Sequence, residues 1–280
     1  MGLSTMTKIP ISVLVTTKNE ERHIARCLDA LTDFEEVIVI DSHSEDRTVE
    51  IAKSKGARVE GYQWNGQYPK KRQWCLDNLS IGYNWIFMVD ADEVLTTDII
   101  EEIRILTKKE NKATGFFVKG RYAWKCKVLK YGLTNNKLAL FDRRKIEFPV
   151  IDDLDIEGMG EIEGHYQPIL KQEFQHDAIG QITSPLLHYA YEDEGAWLKR
   201  HERYAKWESE MIKRDAWPED PVRVRQVLKN ITRTSALRPY LMFLYSYIFK
   251  LGFLDGKAGF EFALSRKKYC EMVLKELRSA

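Results

Sequence analysis

The sequence predicts an α/β fold, with a mostly parallel sheet covered by helices on both faces and a helical C-terminal extension. Three observations carry this. Short apolar runs alternate with single amphipathic helices through the first third, each run ends in a polar string, and the texture changes after Gly115 and again near residue 190.

The first strand is Ile11 to Val15, stopped by Thr16-Thr17-Lys18-Asn19-Glu20. A helix follows, because Ile24, Cys27, Leu28 and Leu31 recur at i, i+3, i+4 and i+7; Glu20 and Glu21 fall in its first turn, where the helix dipole favours carboxylates. Val37 to Ile40 is a second buried strand ending at Asp41. The loop Ser42 to Asp46 leads into a helix carrying Val49, Ile51 and Ala52, which stops at Gly56, a residue suited to a left-handed cap. Val59 opens a short third strand. Pro69 is placed for a helix start, with Trp74, Cys75 and Leu79 on the buried side, and Trp85 to Val89 is a further strand ending in Asp90-Ala91-Asp92. Phe116 to Val118 and Leu138 to Phe141 read as strands, and Asp152 to Gly164 as an irregular acidic, glycine-rich stretch. A charged, aromatic helix spans about Glu194 to Lys213, and an apolar C-terminal segment follows.

Composition excludes several classes. The 280 residues approach the upper limit for one hydrophobic core. At 44% hydrophobic, with 43 basic against 42 acidic residues, the chain is neither disordered nor a global polyanion binder, so no nucleic-acid partner is expected. Cys27, Cys75, Cys126 and Cys270 form no C-x-x-C pair, which argues against a zinc ribbon or a disulfide framework and for a reducing compartment. Met1 to Pro10 has no signal-peptide h-region, and Met6 breaks the myristoylation pattern, so a cytoplasmic protein is expected.

Strands separated by single helices imply right-handed crossovers, and in such sheets ligands bind outside the carboxyl ends of the strands. Thr16 to Glu20, Asp41 to Asp46 and Asp90 to Glu93 all fall at those ends. Asp90 and Asp92 stand two apart at the end of an extended run, so both carboxylates point to one face and can share a hard cation, Mg²⁺ or Mn²⁺, together with a diphosphate. A solvated pair of loop aspartates is the alternative. Neither G-x-G-x-x-G nor G-x-x-x-x-G-K-[ST] occurs, so a nucleotide has to be held in another way.

Ile11 to Glu20 (ISVLVTTKNE), Asp41 to Thr48 (DSHSEDRT) and Asp90-Ala91-Asp92-Glu93 resemble successive motifs of family 2 glycosyltransferases, inverting enzymes of the Rossmann-like GT-A fold. The likeness is closest to the lipopolysaccharide-core β-glucosyltransferase-like branch. The resemblance implies a GT-A catalytic domain over residues 1–190, with a nucleotide-binding half to about 110 and an acceptor-side half over 111–190, and a helical extension over 191–280. It implies that Thr16, Lys18 and Glu20 line the nucleotide pocket together with Ala91, that Asp41 contacts the base, and that Lys71 or Arg72 faces the phosphates. Asp41 equally suits a helix cap, Glu20 the helix dipole, and Lys70, Lys71 and Arg72 a solvated helix face. A late histidine completes the metal site in many relatives; His188, after Pro185-Leu186-Leu187, resembles it and would join Asp90 and Asp92, although a packed core histidine fits the same string.

Inverting transfer needs a base that takes the acceptor's proton. Asp152, Asp153, Asp155, Glu157, Glu161 and Glu163 are all available. Gly160-Glu161 matches the family's His-Glu position without its histidine, which implies Glu161 as the base with Asp153 second. Arg200, His201, Arg203 and Tyr204 lie within about one helical turn and suit a diphosphate, an acceptor phosphate or plain solvent.

Tyr240 to Leu254 is dense in apolar side chains yet short of the ~20 residues that span a bilayer. Arg238, Lys250, Lys257, Arg266, Lys267 and Lys268 surround it, so it reads either as a helix at an anionic membrane surface or as one packed on the core. Relatives share a string like Gly252 to Gly259 (GFLDGKAG) and act on lipid-borne glycans. The resemblance therefore implies a UDP-hexose donor, a lipid-linked, lipopolysaccharide or capsule glycan acceptor, and peripheral attachment to the cytoplasmic face of the inner membrane. A sugar-phosphate nucleotidyltransferase also places carboxylates and metal at strand ends, but calls for a glycine-rich first loop that Thr16 to Glu20 lacks. A non-catalytic glycan-binding or scaffold member is the third possibility.

Overall fold

The computed structural model describes residues 7–108, 113–156, 160, 167–191, 193–217 and 231–279. Its first half builds as the sequence predicts. Strand β1 (Ile9–Thr17) is flanked by β2 (Phe34–Asp41) and β4 (Trp85–Asp90), both parallel to it, and β3 (Arg58–Gly61) extends the sheet beside β2. Alternation along β1 sends Ile11, Val13 and Val15 to one face and Leu14 to the other. Helices α1 (Ile24–Asp29), α2 (Thr48–Ser54) and α4 (Thr97–Lys108) cover the first face through Ile24, Cys27, Ala52, Ile99 and Ile103. Helix α3 (Lys71–Asn78) covers the second through Cys75, with Trp74 and Leu79 partly buried beside it. Gly56 adopts φ +79° after α2, where the left-handed turn was expected.

Two details differ from expectation. Helix α1 starts at Ile24, so Glu20 and Glu21 precede its first turn; a tight turn intervenes, with the His23 and Ile24 amides both donating to Glu20 O at 2.9 Å. Helix α3 starts at Lys71, two residues after Pro69.

The second half of the sheet is mixed. The long β6 (Ala113–Trp124) carries the short β7 (Lys127–Val128) as a hairpin, and β8 (Asn135–Asp142) runs antiparallel between β4 and β6. β11 (Ala178–Gln181) and β12 (Leu186–His188) both lie parallel to β6, and β12 pairs antiparallel with β5 (Glu93–Val94). The order along the sheet is β3-β2-β1-β4-β8-β6-β12-β5. A separate pair, β9 (Ile146–Glu147) with β10 (Ile169–Leu170), lies beyond it.

Helix α5 spans Glu194–Lys213 as expected, its N-terminus capped by Asp193, which accepts from the Ala196 amide at 2.8 Å. The apolar segment after it is broken rather than one helix: α6 (Arg238–Leu244) runs into a π-helical turn (Tyr245–Phe249), then a 3₁₀ turn (Gly252–Asp255), and α7 (Lys257–Arg278) follows. Leu251 at φ +58° and Gly256 at φ +63° redirect the chain. The GFLDGKAG string has a structural role here. Buried Asp255 accepts from the Lys130 and Tyr131 amides at 3.1 and 2.8 Å, and a Cβ on Gly259 would meet Gly252 O at 1.9 Å, so only glycine lets α7 approach the preceding turn.

Arg238 and Tyr269 both donate to Glu208, which locks α6 and α7 onto α5. Burial works against ionised Arg238, but Glu208 outweighs it and the guanidinium stays charged. Trp124, Leu129, Trp197 and Phe262 pack the extension against β6 and β7. One side of the C-terminal region therefore packs on the core; its other side exposes Leu237, Leu241, Leu244, Ile248, Phe249 and Leu254. Among the described residues no helix is long and apolar enough to cross a membrane.

Candidate active site

The strand ends meet as the sequence predicts. Thr16 stands beside Ile40 of β2 and Asp90 of β4, and its hydroxyl donates to Asp90 Oδ1 at 3.1 Å. These ends open on a crevice of about 1110 Å³ whose walls include Thr16, Lys18, Glu20, Lys71, Arg72, Asp90, Ala91, Asp92 and His188. Nine sequence-predicted residues thus share one cavity.

The loop after β1 is shaped by the motif after β2. Asn19, at φ +56°, donates from its amide to Ser44 Oγ at 2.8 Å and accepts from the Glu45 amide at 2.8 Å. The Glu20 amide donates to Thr48 Oγ1 at 2.7 Å, and the Glu21 amide to Asp46 Oδ2 at 3.1 Å. Asp46 also accepts from the Thr48 amide at 2.9 Å. Asp41, Ser44, Asp46 and Thr48 therefore brace the nucleotide-side loop. Asp41 is not a surface residue: it is buried, and its oxygens accept from the Ser44 amide and hydroxyl. Nor does it cap α2, since Asp46 holds that start.

Asp90, Asp92 and Glu93 crowd one strand end, and their neutralisation defines the site. Arg72 Nη2 reaches Asp90 Oδ1 at 2.9 Å, while Lys137 Nζ sits between Asp90 Oδ2 at 2.9 Å and Glu93 Oε2 at 2.6 Å. Burial resists ionisation of Asp90, yet Lys137 and then Arg72 outweigh it and hold the carboxyl far below its usual range. Burial also pushes Lys137 down, but Asp90 and Glu93 prevail and raise it. Glu93, with no solvent exposure, goes the other way, raised first by burial.

His188 arrives through strand pairing, opposite Glu93 on β5 and Tyr122 on β6. Its Nε2 lies 3.3 Å from Asp92 Oδ2 and its ring stacks on Tyr122 at 5.1 Å. Burial lowers the affinity of its ring for a proton, but Asp92 more than offsets this and the pKa rises. Asp92 is correspondingly lowered, against burial, chiefly by His188.

Whether these residues suit a divalent metal follows from the donor set. Asp92 and His188 offer a carboxylate oxygen and an imidazole nitrogen side by side on the crevice wall, whereas the oxygens of Asp90 are engaged by Thr16, Arg72 and Lys137. Among the described residues no three Asp, Glu, His or Cys side chains converge to hold a metal alone. The fit is to a site completed by diphosphate oxygens, as Mg²⁺ and Mn²⁺ prefer.

The acidic stretch divides. Glu161 lies outside the described residues, as do Glu157 and Glu163. Asp153 is not placed as a base: it has no exposed surface, pairs with equally buried Lys70 at 2.7 Å, and accepts from Tyr68 Oη at 2.9 Å and Trp207 Nε1 at 3.1 Å. It serves as the polar pin of a small core made by Ile151, Ile156, Trp207 and Met211. Asp155 lines the crevice and is gripped by Arg214 at 2.6 and 2.8 Å.

Sequence reasoning missed Lys137, Trp64, Tyr122 and the crevice-facing position of Arg266. Lys137 gave no local signal, because a lysine near a strand start usually meets solvent. Arg266 was assigned with the basic residues around the apolar segment, and the structure turns both it and Arg238 inward.

Residues 12–159, just over half of the chain, match the family model described as glycosyl transferase family 2. The chain belongs to glycosyl transferase family 2. A Rickettsia typhi protein named as an uncharacterised glycosyltransferase is 36% identical over 106 residues, 36% of this chain and 34% of that protein. The lipopolysaccharide core biosynthesis glycosyltransferase LpsC of Rhizobium meliloti is 28% identical over 132 residues, 45% of this chain and 46% of LpsC. The matched segment thus spans between a third and a half of these relatives. Among solved structures, a Pyrobaculum calidifontis mannosyltransferase, in complex with GDP-Man and Mn²⁺, superposes with a TM-score of 0.51 at 12% identity, over 97% of this chain and 88% of that one. The family 2 chain has the GT-A fold expected of it.

Because Asp153 is fully buried and paired, Asp153→Ala should cost about 3–5 kcal/mol in urea denaturation, the usual penalty for stranding one member of a buried pair. The double replacement Lys70→Met, Asp153→Leu should recover most of it. An Asp153→Ala protein of unchanged stability that has lost transfer would return Asp153 to the role of base.

Proposed function

We propose that the protein is an inverting glycosyltransferase that moves a sugar from a nucleotide-sugar donor, a UDP-hexose, to a lipid-linked, lipopolysaccharide or capsule glycan, with Mg²⁺ or Mn²⁺. The observation that carries this reading is the convergence of the β1 loop, Asp90, Asp92 and His188 on one crevice in a family 2 chain. Thr16, Lys18 and Glu20 lie on the nucleoside side in this reading, with Ala91 among the residues that line the same crevice. Lys71 and Arg72, at the start of α3, face the phosphates. Arg72 is held in position by Asp90. Asp92 and His188 would hold the metal, with Asp90 beside them, and a bound divalent ion supplies positive charge against the charge that builds on a departing nucleoside diphosphate.

Glu161 takes the acceptor proton in this reading. The donor sugar transfers with inversion because the hydroxyl attacks from the face opposite the nucleotide. The lipopolysaccharide role named for LpsC supports an envelope glycan as the acceptor.

The exposed C-terminal face supports peripheral attachment to an anionic membrane. Leu237, Leu241, Leu244 and Ile248 recur at i, i+4, i+7 and i+11, and Phe249 is 75% exposed beside them. So large an apolar surface is unusual on an isolated chain. Lys250 and Lys257 are exposed in the same segment and at the start of α7, which gives charge complementarity to anionic headgroups.

Calorimetric titration with UDP, GDP and CDP, each with Mn²⁺ and then EDTA, tests the donor site without knowledge of the acceptor. UDP should bind only with Mn²⁺, and Asp92→Ala should abolish that binding with the fold intact; unchanged UDP affinity in the variant would sink the metal assignment. Retained binding without turnover on any glycan would support the scaffold reading instead. Glu161→Gln should leave UDP affinity within about twofold and reduce transfer by about 10²–10⁴-fold, and near-normal transfer would move the base elsewhere. In co-flotation with phosphatidylglycerol vesicles, binding should weaken with salt and fall ~10-fold in the double variant Phe249→Ser, Leu254→Ser, given the apolar area withdrawn; equal binding by both proteins would remove this face from the membrane.

A further inference from the structure

We propose that Arg200, Arg203 and Arg266 form an anion-binding corner in the crevice that receives a phosphate or carboxylate carried by the acceptor glycan. This rests on the glycosyltransferase reading above and names the acceptor's chemical class. Arg200 and Arg203 stand three apart on α5, and Arg266, on α7, lies against His201 of α5, so two helices distant in sequence turn three arginines into one crevice.

None of the three is held in an ion pair among the described residues, which sets them apart. At the donor end Arg72 and Lys137 are each paired with Asp90. Among the described residues no carboxylate pairs with any of the three arginines. Arg200 donates to Ala190 O at 2.5 Å, Arg266 Nη2 lies 3.4 Å from His201 Nε2, and Arg203 lies over the Tyr204 ring at 5.5 Å. Arg200 and Arg266 are half-buried and Arg203 is exposed; a guanidinium without a carboxylate keeps donors in hand for an anion, and its forked geometry suits phosphate or carboxylate.

The setting suits a sugar that carries such a group. Arg266 lies 5.6 Å from the Tyr122 ring and 5.0 Å from that of Phe262, and His201 stacks on Trp197 at 4.0 Å. Trp197 and Phe262 are themselves buried, so these rings hold the arginine wall in place. The charge of Arg200 also acts on Asp92, and Arg203 is the exposed member of the three. On α7, Phe260 and Leu264 are exposed on the side away from Arg266. The same helix therefore faces a polar headgroup on one side and presents apolar surface on the other.

The test is calorimetry on the full chain, first saturated with UDP and Mn²⁺ and then titrated with glucose 6-phosphate, glucuronate and glucose. At least one anionic sugar should bind at least tenfold more tightly than glucose, and the preference between the two assigns phosphate or carboxylate. The double variant Arg203→Gln, Arg266→Gln should lose at least tenfold in that affinity while UDP affinity stays within twofold. Competition between the anionic sugar and UDP in the unaltered protein would overturn the proposal by placing the arginines on the donor diphosphate. Equal binding of charged and neutral sugars would overturn it as well. If UDP itself fails to bind, the donor reading falls, and titration of the nucleotide-free protein with the same three sugars still decides this one.

Discussion

Three carboxylates, half-buried Asp90 and buried Asp92 and Glu93, stand within four positions at the end of one strand, and the placement of the surrounding elements depends on neutralising them. An unpaired buried charge costs several kcal/mol, a large share of the stability of an ordinary domain. Each counter-charge comes from a different element: Arg72 from α3, Lys137 from β8 and His188 from β12. The acidic corner thus joins the parallel half of the sheet to the mixed half. It also keeps Asp90 and Asp92 ionised, while His188 has to give up its proton before its imidazole can take a metal.

Around this corner the architecture separates rigid support from chemistry. The motif from Asp41 to Thr48 contributes hydrogen bonds that fix the β1 loop, so Lys18 and Glu20 are presented on a braced backbone. Asp153, buried against Lys70, does comparable work under α5. Residues with the chemistry of a site can in this way be scaffolding, and burial with complete pairing distinguishes them from groups that face the crevice.

The C-terminal region has two surfaces of different chemistry. Glu208, Arg238 and Tyr269 clamp its helices together, and the glycines of the GFLDGKAG string allow the close approach of α7 to the preceding turn. One face of α7 then supplies Phe262, Arg266 and Tyr269 to the crevice, while neighbouring apolar side chains point outward. An acceptor with a charged sugar and a lipid anchor would meet both surfaces at once.

The sequence by itself determined the strands and helices of the first half, the polar strings at the strand ends and the family. Periodicity and strand-end position are local properties, and they survive without knowledge of partners. It also located helix 194–213 and the apolar density near the C-terminus. Tertiary structure alone decided which charges pair. Lys137 lies 47 residues from Asp90 and His188 lies 96 residues from Asp92, and only the register of β8 and β12 brings them together. The same reason explains why Asp153 looked like a base and Arg266 like a headgroup contact: a side chain's neighbours across space, absent from any local pattern, set both its charge state and its role.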